Sequence, residues 1–342
     1  MKIAIDAQLT VGTATGIGEY VTGLVSALRD RDVDVVELLE PNLDPWRFDR
    51  RVFWDQILLP QRARQSGADI LHCASGTVPL TASLPTVVTV HDVAWLRVQA
   101  HARPYARYYF GHFALERYRR AGALVVDSQF SRDEVLGVMN DLDPQRVRVV
   151  YPGVASDFAT LARGVGDRRT ILVVGTVERR KNLELIVRAL PFLEGARLVS
   201  VGPPTPYQDE CAKLAEQLDV RERVEFRGYV SRDQLLALYG SCAVLAMPSR
   251  YEGFGYGAAQ ALCAGTPCIT SDVSSLPEII GSDARMLPID HIAPWVEALG
   301  SALRGDDDER ARIVRGSAIE RFSWSHSAKS LIEVYKSALE SR

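Results

Sequence analysis

The sequence has few of the features that mark disulfide-linked, metal-binding or membrane-spanning proteins. Its 342 residues include five cysteines, and no two of them form a Cys-x-x-Cys pair. Such a set indicates reduced, buried thiols, not disulfides or a zinc site. No apolar run approaches the roughly 20 residues that a bilayer crossing needs, and the opening MKIAIDAQL lacks the pattern of a signal peptide. We therefore expect a cytoplasmic protein.

The sequence also lacks an excess of one charge, internal repeats and low-complexity tracts. Its formal net charge is -3, with 47% hydrophobic and 24% charged residues. This balance is typical of a globular protein and gives no indication of a nucleic-acid partner. The length predicts two domains of ordinary size, each long enough to bury its own core.

Short apolar runs alternate with helical patterns in both halves of the chain, which predicts an α/β fold with parallel sheets covered on both faces. In the first half, strands are predicted at residues 3–5, 33–39, 69–71, 86–90, 123–126 and 147–150. In the second half, they are predicted at residues 171–174, 197–201, 224–227, 243–247 and 268–270. The first helix is predicted over about 19–28, and the break in alternation over 151–169 predicts a linker.

The most informative stretch is PSRYEGFGYGAAQALCAGTP, which begins at Pro248 where the apolar run 243–247 ends. Its glycines precede an alanine-rich helical pattern, and glycine lets the backbone approach a phosphate closely. Ligands of parallel sheets bind beyond the carboxyl ends of strands, where the first amides of the next helix attract anions. Glu252 would repel phosphate, so it is better suited to accept hydrogen bonds from hydroxyl groups. A polyol beside a phosphate predicts a sugar nucleotide as the ligand.

This stretch resembles the family 4 retaining glycosyltransferases, which carry two glutamates separated by seven residues within EGFG…EA…GTP…S…PE. Glu252 matches the first glutamate, whereas Gln260 stands in place of the second. The positions in step with the family pattern are Pro248, Ser249, Glu252, Gly253, Gly255, Gly265, Thr266, Pro267, Ser271, Pro277 and Glu278. The resemblance implies that Glu252 lies against the transferred sugar, while the family's second glutamate holds the ribose hydroxyls.

The resemblance covers nearly the whole chain and implies the GT-B fold, two Rossmann-like domains with parallel sheets facing across a cleft. It implies an acceptor-side domain at 1–155 with a C-terminal crossover helix at about 324–342, and a nucleotide-sugar-binding domain at 165–322. The implied reaction is hexosyl transfer with retention of configuration, as in polysaccharide biosynthesis. The donor is a nucleotide-diphosphate sugar and the acceptor is a glycan, a lipid-linked or a small-molecule hydroxyl. The resemblance implies no cofactor and no metal.

Three cations in the motif GTVERRKN follow the predicted strand 171–174. They precede a helix whose amino end attracts anions, although a solvated corner is the alternative. In the family, the Arg and Lys of this motif neutralise the donor diphosphate, which implies that role for Arg180 and Lys181. Many relatives carry an arginine directly after the glycine, so the choice between Arg179 and Arg180 stays open.

The resemblance assigns further residues to the donor. Two early glycines precede a helix that closes over the pyrophosphate in the family, although they also allow close helix packing, and the turn at 228–230 is assigned to the base. The donor-binding set is Gly16, Gly18, Arg180, Lys181, Gly228, Tyr229, Val230, Glu252, Gly253, Phe254, Gly255, Tyr256 and Gln260.

Two histidines, His72 and His91, each follow a predicted strand. Strand ends line the ligand crevice, but a hydrogen-bonded histidine at the edge of the core is the alternative. His91, in VVTVHD, matches a family position beside the donor sugar, and we group it with Glu252, Arg180 and Lys181 as catalytic. His72 and Asp92 are predicted to contact the acceptor, although an aspartate after a strand is as often a helix cap.

The stretch at 103–122 combines five arginines with six aromatic residues. One interpretation is a basic, aromatic helix that rests on the inner face of the cell membrane and meets a lipid-linked acceptor. The other is an amphipathic helix whose tyrosines pack on the sheet while its arginines are solvated.

Two features of the sequence favour different donors. The Ile5-Asp6 opening resembles the mannosyl and deoxyhexosyl branch of the family, which favours GDP-mannose. An amide offers only one accepting oxygen. Gln260 therefore makes a thymidine diphosphate sugar a second candidate donor, since its deoxyribose has one ring hydroxyl. A sugar-nucleotide epimerase and a catalytically silent sugar-binding subunit remain open. A dehydrogenase is the weakest option because no Gly-x-Gly-x-x-Gly follows the first strand.

Overall fold

The computed structural model describes residues 1–12, 16–97, 104–164 and 168–340. The chain divides into two compact units. Unit 1 comprises Met1–Gly153 and Phe322–Arg342, and unit 2 comprises Val154–Arg321. Each unit is built on a six-stranded sheet whose neighbouring strands all run parallel. The two parallel sheets, and the α/β class that they define, are as predicted.

The sheet of unit 1 has the strand order β2-β1-β3-β4-β5-β6. Its strands are β1 (Lys2–Asp6), β2 (Asp34–Leu38), β3 (Ile70–Cys73), β4 (Thr86–Val90), β5 (Ala123–Val126) and β6 (Val147–Val149). Its α-helices are α1 (Gly16–Arg29), α2 (Phe48–Phe53), α3 (Leu59–Gln65), α4 (Ala94–Arg97), α5 (Pro104–Arg107), α6 (Phe113–Tyr118), α7 (Gln129–Val138) and α16 (Trp324–Glu340). Two π-helical segments, Trp54–Leu58 and Tyr108–His112, lie between α2 and α3 and between α5 and α6.

The sheet of unit 2 has the strand order β12-β11-β10-β7-β8-β9. Its strands are β7 (Thr170–Val174), β8 (Arg197–Val201), β9 (Val224–Phe226), β10 (Val244–Met247), β11 (Cys268–Ser271) and β12 (Arg285–Leu287). Its α-helices are α8 (Ser156–Thr160), α9 (Leu183–Ala189), α10 (Pro206–Gln217), α11 (Arg232–Ser241), α12 (Tyr256–Ala264), α13 (Leu276–Ile280), α14 (Ile292–Arg304) and α15 (Asp308–Arg321). This order is that of a dinucleotide-binding sheet, in which the chain reverses its direction of winding between β7 and β10.

Side chains of β1 alternate between two cores because successive residues of a strand point to opposite faces. Ile3 and Ile5 pack with α1 and with the C-terminal helix α16, whereas Ala4 faces the core around Trp54. Helix α16 therefore completes one face of unit 1, where Tyr335 is fully buried. The five cysteines are all buried free thiols, as predicted.

Several local predictions are wrong. Strand β12 was missed, because its three residues form no apolar run and are all partly or fully exposed. Helix α1 begins at Gly16 and not near residue 19, so Gly16 and Gly18 lie in its first turn. His72 lies within β3 and not after it. Parts of three predicted segments, at 103, 165–167 and 341–342, lie outside the described residues.

Candidate functional site

The best-defined polar cluster lies at the carboxyl edge of the unit 2 sheet, where the loops after β7 and β10 meet. These strands are neighbours in the sheet, although residues 175–243 of the chain lie between the end of β7 and the start of β10, because the strand order reverses between them. Such a switch point separates the two loops and leaves a crevice that binds ligands in open α/β sheets. The loop after β7 carries Arg180 and Lys181, and the loop after β10 carries Glu252.

Glu252 joins the two loops because its carboxylate accepts hydrogen bonds from both cations. Lys181 Nζ lies 2.6 Å from Glu252 Oε1, and Arg180 Nη1 lies 3.0 Å from Oε2. Ser249 Oγ also donates to Oε1 at 2.6 Å. Glu252 is only 5% exposed, and buried charges persist when they are paired and hydrogen-bonded. The three side chains that the sequence grouped as a diphosphate and sugar site therefore form one contiguous cluster.

The charges in this cluster perturb one another. Burial alone would raise the pKa of Glu252, but the positive charges of Lys181 and Arg180 outweigh it and lower that pKa to about 2. For Lys181, burial has the larger effect, and its pKa lies below the ordinary value despite the attraction of Glu252. Arg180 also donates to Glu178 Oε1 through Nη2 at 2.8 Å. Two cations thus face two carboxylates, and an incoming anion would have to compete with both.

Backbone conformation around the cluster depends on glycine. Gly175, directly after β7, has φ +130°, and a Cβ there would lie 3.2 Å from Lys181 Cε. Gly202, directly after β8, has φ +145°, and a Cβ there would lie 2.1 Å from the carbonyl oxygen of Gly175. Such φ values are accessible chiefly to glycine. The absence of a side chain at Gly202 therefore lets the loops after β7 and β8 lie close together. The absence of one at Gly175 leaves space for the Lys181 side chain.

The structure distinguishes between the two candidate arginines. Arg179 points to Glu210, with Nη2 and Oε2 2.5 Å apart, and both side chains are about half exposed. Arg180 contacts Glu252. Arg180 and Lys181 thus both donate hydrogen bonds to Glu252. Arg179 instead forms a solvent-exposed ion pair with Glu210 of α10.

Two serines that sequence reasoning missed hold the backbone of Glu252. Its amide donates to Ser274 Oγ at 2.9 Å, and its carbonyl oxygen accepts from Ser275 Oγ at 2.9 Å. Both belong to the SDVSSLPE segment after β11, the strand next to β10. Their position could have been inferred from the sequence, because this segment follows the predicted strand 268–270 and so lies at the same edge of the sheet as Glu252.

Gln260 lies inside α12 and is 4% exposed. Tyr239 Oη, from α11, donates a hydrogen bond to Gln260 Oε1 at 3.0 Å. The single accepting atom of the amide, which would take a ribose hydroxyl, therefore already has a protein partner. Through this hydrogen bond, Gln260 links α12 to α11.

The remaining donor-binding candidates of unit 2 lie in two loops. Gly253, Phe254 and Gly255 form the turn after β10, and Tyr256 begins α12. Gly228 accepts a hydrogen bond from the Gly202 amide at 2.8 Å, which links the loops after β8 and β9. Beside it, Tyr229 is 51% exposed and Val230 is half-buried. These positions all lie at the carboxyl edge of the sheet, as predicted.

In unit 1, His91 follows β4 at the carboxyl edge of the sheet. Its Nδ1 lies 2.6 Å from Asp127 Oδ2, and its Nε2 lies 3.0 Å from the carbonyl oxygen of Ala74. The His91 side chain is 20% exposed. Asp92 accepts a hydrogen bond from the Ala94 amide at 3.0 Å, which is the helix-capping alternative considered for it.

His72 is fully buried in the middle of the sheet. Its Nε2 lies 2.8 Å from Thr89 Oγ1, and its Nδ1 lies 2.7 Å from Tyr335 Oη on α16. Burial lowers the pKa of His72 to about 3. With no exposed surface, this side chain matches the alternative of a hydrogen-bonded core histidine better than an acceptor contact.

A buried polar network that the sequence did not indicate lies beside β1. Arg51 Nε donates to Asp55 Oδ2 at 3.0 Å, and Arg51 Nη2 donates to Thr77 Oγ1 at 2.8 Å. Tyr109 Oη donates to the same Asp55 oxygen at 3.0 Å. Asp55 and Tyr109 belong to the two π-helical segments, so this network joins both irregular stretches of unit 1.

Arg117, in the basic and aromatic stretch 103–122, is 1% exposed. Its guanidinium carbon lies 3.7 Å from the ring centroid of Phe113, and its nitrogens have no hydrogen-bond partner among the described residues. Burial lowers the pKa of Arg117. The interpretation that all these arginines are solvated is therefore wrong for Arg117. Tyr105 and Tyr108 are 45% and 62% exposed.

Two glycosyltransferase family models match consecutive parts of the sequence. Glycosyltransferase Family 4 matches residues 14–158, and Glycosyl transferases group 1 matches residues 162–317. Among solved structures, sucrose-phosphate synthase from Thermosynechococcus elongatus superposes with a TM-score of 0.77 at 20% identity, over 100% of both chains. The chain has the GT-B glycosyltransferase fold.

Two further proteins are similar to this GT-B chain, one in fold and one in sequence. Anabaena Alr3699/HepE, solved in complex with UDP-glucose, superposes with a TM-score of 0.73 at 17% identity, over 98% of this chain and 100% of HepE. The D-inositol 3-phosphate glycosyltransferase of Mycolicibacterium smegmatis is 30% identical over 236 residues. That alignment covers 64% of this chain and 54% of the relative, so the match spans about half the length of the relative.

Two features are absent from the described residues of this GT-B chain. None of its helices there combines the length and apolar character that a bilayer crossing requires. In the same ranges, no three or more histidine, cysteine, aspartate or glutamate side chains are arranged to hold a metal ion.

Proposed function

We propose that this GT-B protein is a retaining hexosyltransferase that uses a nucleotide-diphosphate sugar and no metal ion. The observation that carries the proposal is the cluster of Arg180, Lys181 and Glu252 at the switch point of the unit 2 sheet. Paired cations can stabilise a departing diphosphate as a divalent metal does elsewhere. The neighbouring glycine-rich turn and the amino end of α12 add backbone amides that favour an anion.

In the proposed reaction, the bond between the anomeric carbon and the diphosphate oxygen breaks as the acceptor oxygen bonds to the same face of that carbon. The electron pair goes to the leaving diphosphate, and the acceptor proton passes to a leaving-group oxygen. Arg180 and Lys181 stabilise the developing charge, because a preorganised cation needs no reorganisation when that charge appears. Glu252 accepts hydrogen bonds from hexose hydroxyls and thereby orients the sugar. No covalent intermediate with the protein is required.

GDP-mannose is the first donor to test, because of the resemblance at the amino-terminal opening. UDP-glucose is the second, since the structural neighbour HepE was solved in complex with it. A thymidine diphosphate sugar is the third. Gln260 Oε1 accepts one hydrogen bond from Tyr239, and its second lone pair can accept one from a single ring hydroxyl, as a deoxyribose donor offers.

The acceptor is a hydroxyl of a glycan, a lipid-linked sugar or a small molecule. We favour a lipid-linked acceptor with peripheral membrane contact because Tyr105 and Tyr108 are exposed on consecutive helical segments beside Arg107. Aromatic and basic side chains together bind the interface of an anionic bilayer. Cosedimentation with anionic vesicles should decrease in a Tyr105→Ser/Tyr108→Ser variant and not in Tyr229→Ser, an equally exposed tyrosine of unit 2. Equal binding by both variants would contradict membrane contact.

A donor screen tests the proposed function without knowledge of the acceptor. The protein is incubated with GDP-mannose, UDP-glucose or a thymidine diphosphate hexose, and nucleoside diphosphate, free hexose and the anomer first formed are measured. We expect slow hydrolysis of one donor with retention, its loss in Lys181→Met, and its persistence in Arg179→Met, whose side chain contacts Glu210 instead. Conversion of the donor sugar without diphosphate release would identify an epimerase. Binding without any turnover would identify a silent subunit.

A further inference from the structure

Three adjacent strand ends of unit 1 meet at His91. His91 and Asp127 directly follow β4 and β5, whose last residues Val90 and Val126 are paired in register. Asp127 Oδ2 lies 2.6 Å from His91 Nδ1. Ala74 directly follows β3, the strand on the other side of β4, and its carbonyl oxygen lies 3.0 Å from His91 Nε2. The imidazole is thus fixed at both nitrogens by groups that the sheet itself positions.

Both of these partners are hydrogen-bond acceptors. A carbonyl oxygen cannot donate, so Nε2 must carry a proton. A proton must also lie between Nδ1 and Asp127, because without it a nitrogen lone pair would face a carboxylate oxygen. Imidazole is more basic than a carboxylate by about 2.5 pKa units in water, which places this second proton on the ring. His91 is then an imidazolium that donates one hydrogen bond to Asp127 and one to the carbonyl oxygen of Ala74.

The burial of Asp127 favours the same assignment. Asp127 is 5% exposed, and its Oδ1 has no hydrogen-bond partner among the described residues. A buried carboxylate with so few partners is stable only beside a positive charge. Burial opposes the charge of His91, but Asp127 outweighs it, so the pKa of His91 lies above its ordinary value. The Asp127 carboxylate therefore stabilises the charged form of His91.

The other groups around His91 do not oppose this state. Asp92 is the next residue in the chain and adds negative charge, which favours a cation. Tyr20, on α1, contacts the imidazole edge-on with ring centroids 5.0 Å apart, and burial holds its pKa well above the ordinary value, so it stays neutral. His72 on β3 is also neutral, since burial lowers its pKa to about 3.

The comparison with His72 shows that partner chemistry sets the charge of each histidine. The partners of His72 are two hydroxyl groups, Thr89 Oγ1 and Tyr335 Oη. A hydroxyl can donate or accept, so a neutral imidazole satisfies both contacts. The partners of His91 can only accept. Two histidines, one on β3 and one directly after the neighbouring strand β4, are thereby kept in opposite charge states.

We propose that Asp127 is a positioning residue that keeps His91 doubly protonated, so that His91 supplies a fixed positive charge and not a proton acceptor. This deepens the proposed function, on which its catalytic meaning rests. With both nitrogens occupied, His91 cannot take the proton of an acceptor hydroxyl, which leaves the diphosphate oxygen as the proton's destination. Any anionic group that contacts His91 would be stabilised by this positive charge.

The test is an NMR titration of the full chain labelled at histidine Cε1. The six histidines give separate signals, and His91 is assigned from the signal absent in His91→Gln. We expect His91 to titrate above pH 6.5 in the wild type. In Asp127→Asn, which keeps an accepting oxygen but removes the charge, the pKa of His91 should fall by at least about 1 unit. Asp92→Asn, which removes a nearby carboxylate with no hydrogen bond to the ring, should cause a smaller shift.

Activity provides a second readout once a donor is known. The alkaline limit of kcat should move to lower pH in Asp127→Asn by the same amount as the pKa of His91. Titration of His91 at or below pH 6.5 in the wild type, or an unchanged pKa in Asp127→Asn, would overturn the proposal. If Asp127→Asn does not fold, the wild-type titration alone decides. A raised, Asp127-dependent pKa in a protein that hydrolyses no donor would leave the positioning role intact and refute the proposed function instead.

Discussion

Replacing Glu252 with glutamine removes the negative charge that Arg180 and Lys181 share while it keeps the size of the side chain. In the folded protein, the pKa of Glu252 is lowered from 4.5 to about 2, after the opposing effect of burial. A lowering of this size corresponds to about 3 kcal/mol of stabilisation at neutral pH. Because an amide resembles the uncharged carboxyl group, Glu252→Gln should reduce the free energy of unfolding of unit 2 by about that amount.

The pH dependence follows from the sign of the shift. A group whose pKa is lower in the folded state contributes its full stabilisation above the unfolded-state value, here 4.5. That contribution is lost as the pH falls toward 2. The stability difference between wild type and Glu252→Gln should therefore be constant from pH 7 to about 5, and should shrink below pH 4.5.

Urea and thermal denaturation measure this difference. For a unit of this size, about 3 kcal/mol corresponds to a decrease in Tm of about 6–12 °C. The matched control is Glu210→Gln, which removes a carboxylate from the exposed pair with Arg179 and should cost less than about 1 kcal/mol. A loss in Glu252→Gln no larger than in Glu210→Gln would refute the reasoning, as would a difference that persists unchanged at pH 3.

Three further predictions follow from single contacts. Glu252→Gln should bind free nucleoside diphosphate at least as tightly as the wild type in calorimetry, because the carboxylate no longer competes for the cations. Arg51→Met should lower the free energy of unfolding by about 3–5 kcal/mol, whereas Arg117→Met, which loses no hydrogen bond among the described residues, should change it by less than about 1 kcal/mol. Gly202→Ala should lower Tm, since its Cβ would lie 2.1 Å from a backbone oxygen, whereas Gly316→Ala, with open space around it, should raise Tm slightly.

Each of these has a contrary outcome. Weaker diphosphate binding by Glu252→Gln would mean that the carboxylate organises the cations and does not compete with the ligand. Equal decreases in the free energy of unfolding for Arg51→Met and Arg117→Met would mean that hydrogen-bond partners do not determine how much a buried guanidinium stabilises this protein. Equal Tm changes in the two glycine variants would contradict the close approach of the loops after β7 and β8.

Strands with strong apolar runs were predictable from sequence. Thr86–Val90 and Ala123–Val126 were predicted with their observed bounds. The first is a continuous run of β-branched residues and the second a continuous apolar run, as in strands buried on both faces. Arg285–Leu287 carries no such signal, since it is a short edge strand with exposed side chains. His72 was predicted to follow its strand directly, but it lies within β3. A shift of one residue is enough to move a side chain from the ligand-facing end of a strand to its buried interior.

The site was predictable only in part, and for a physical reason. Strand ends and the glycine turn indicated Glu252, because parallel strands deliver their following loops to one edge, whereas the family resemblance singled out Arg180 and Lys181. The sequence pattern did not reveal the hydrogen-bond partners of the site residues. Gln260, for example, contacts Tyr239 of a different helix. Nor did it reveal that Arg117 is buried, because its neighbouring arginines look identical in sequence. Partners depend on packing, which a local pattern does not encode.

The most direct test of the account is whether a nucleoside diphosphate binds at Lys181. Thermal denaturation with increasing GDP, UDP or TDP should show stabilisation by one of them, amounting to about 2.7 kcal/mol at 100 times its Kd. Lys181→Met should lose this response, and Arg179→Met should keep it. The account would be contradicted if none of the three nucleotides stabilised the wild type, or if Lys181→Met responded as the wild type does.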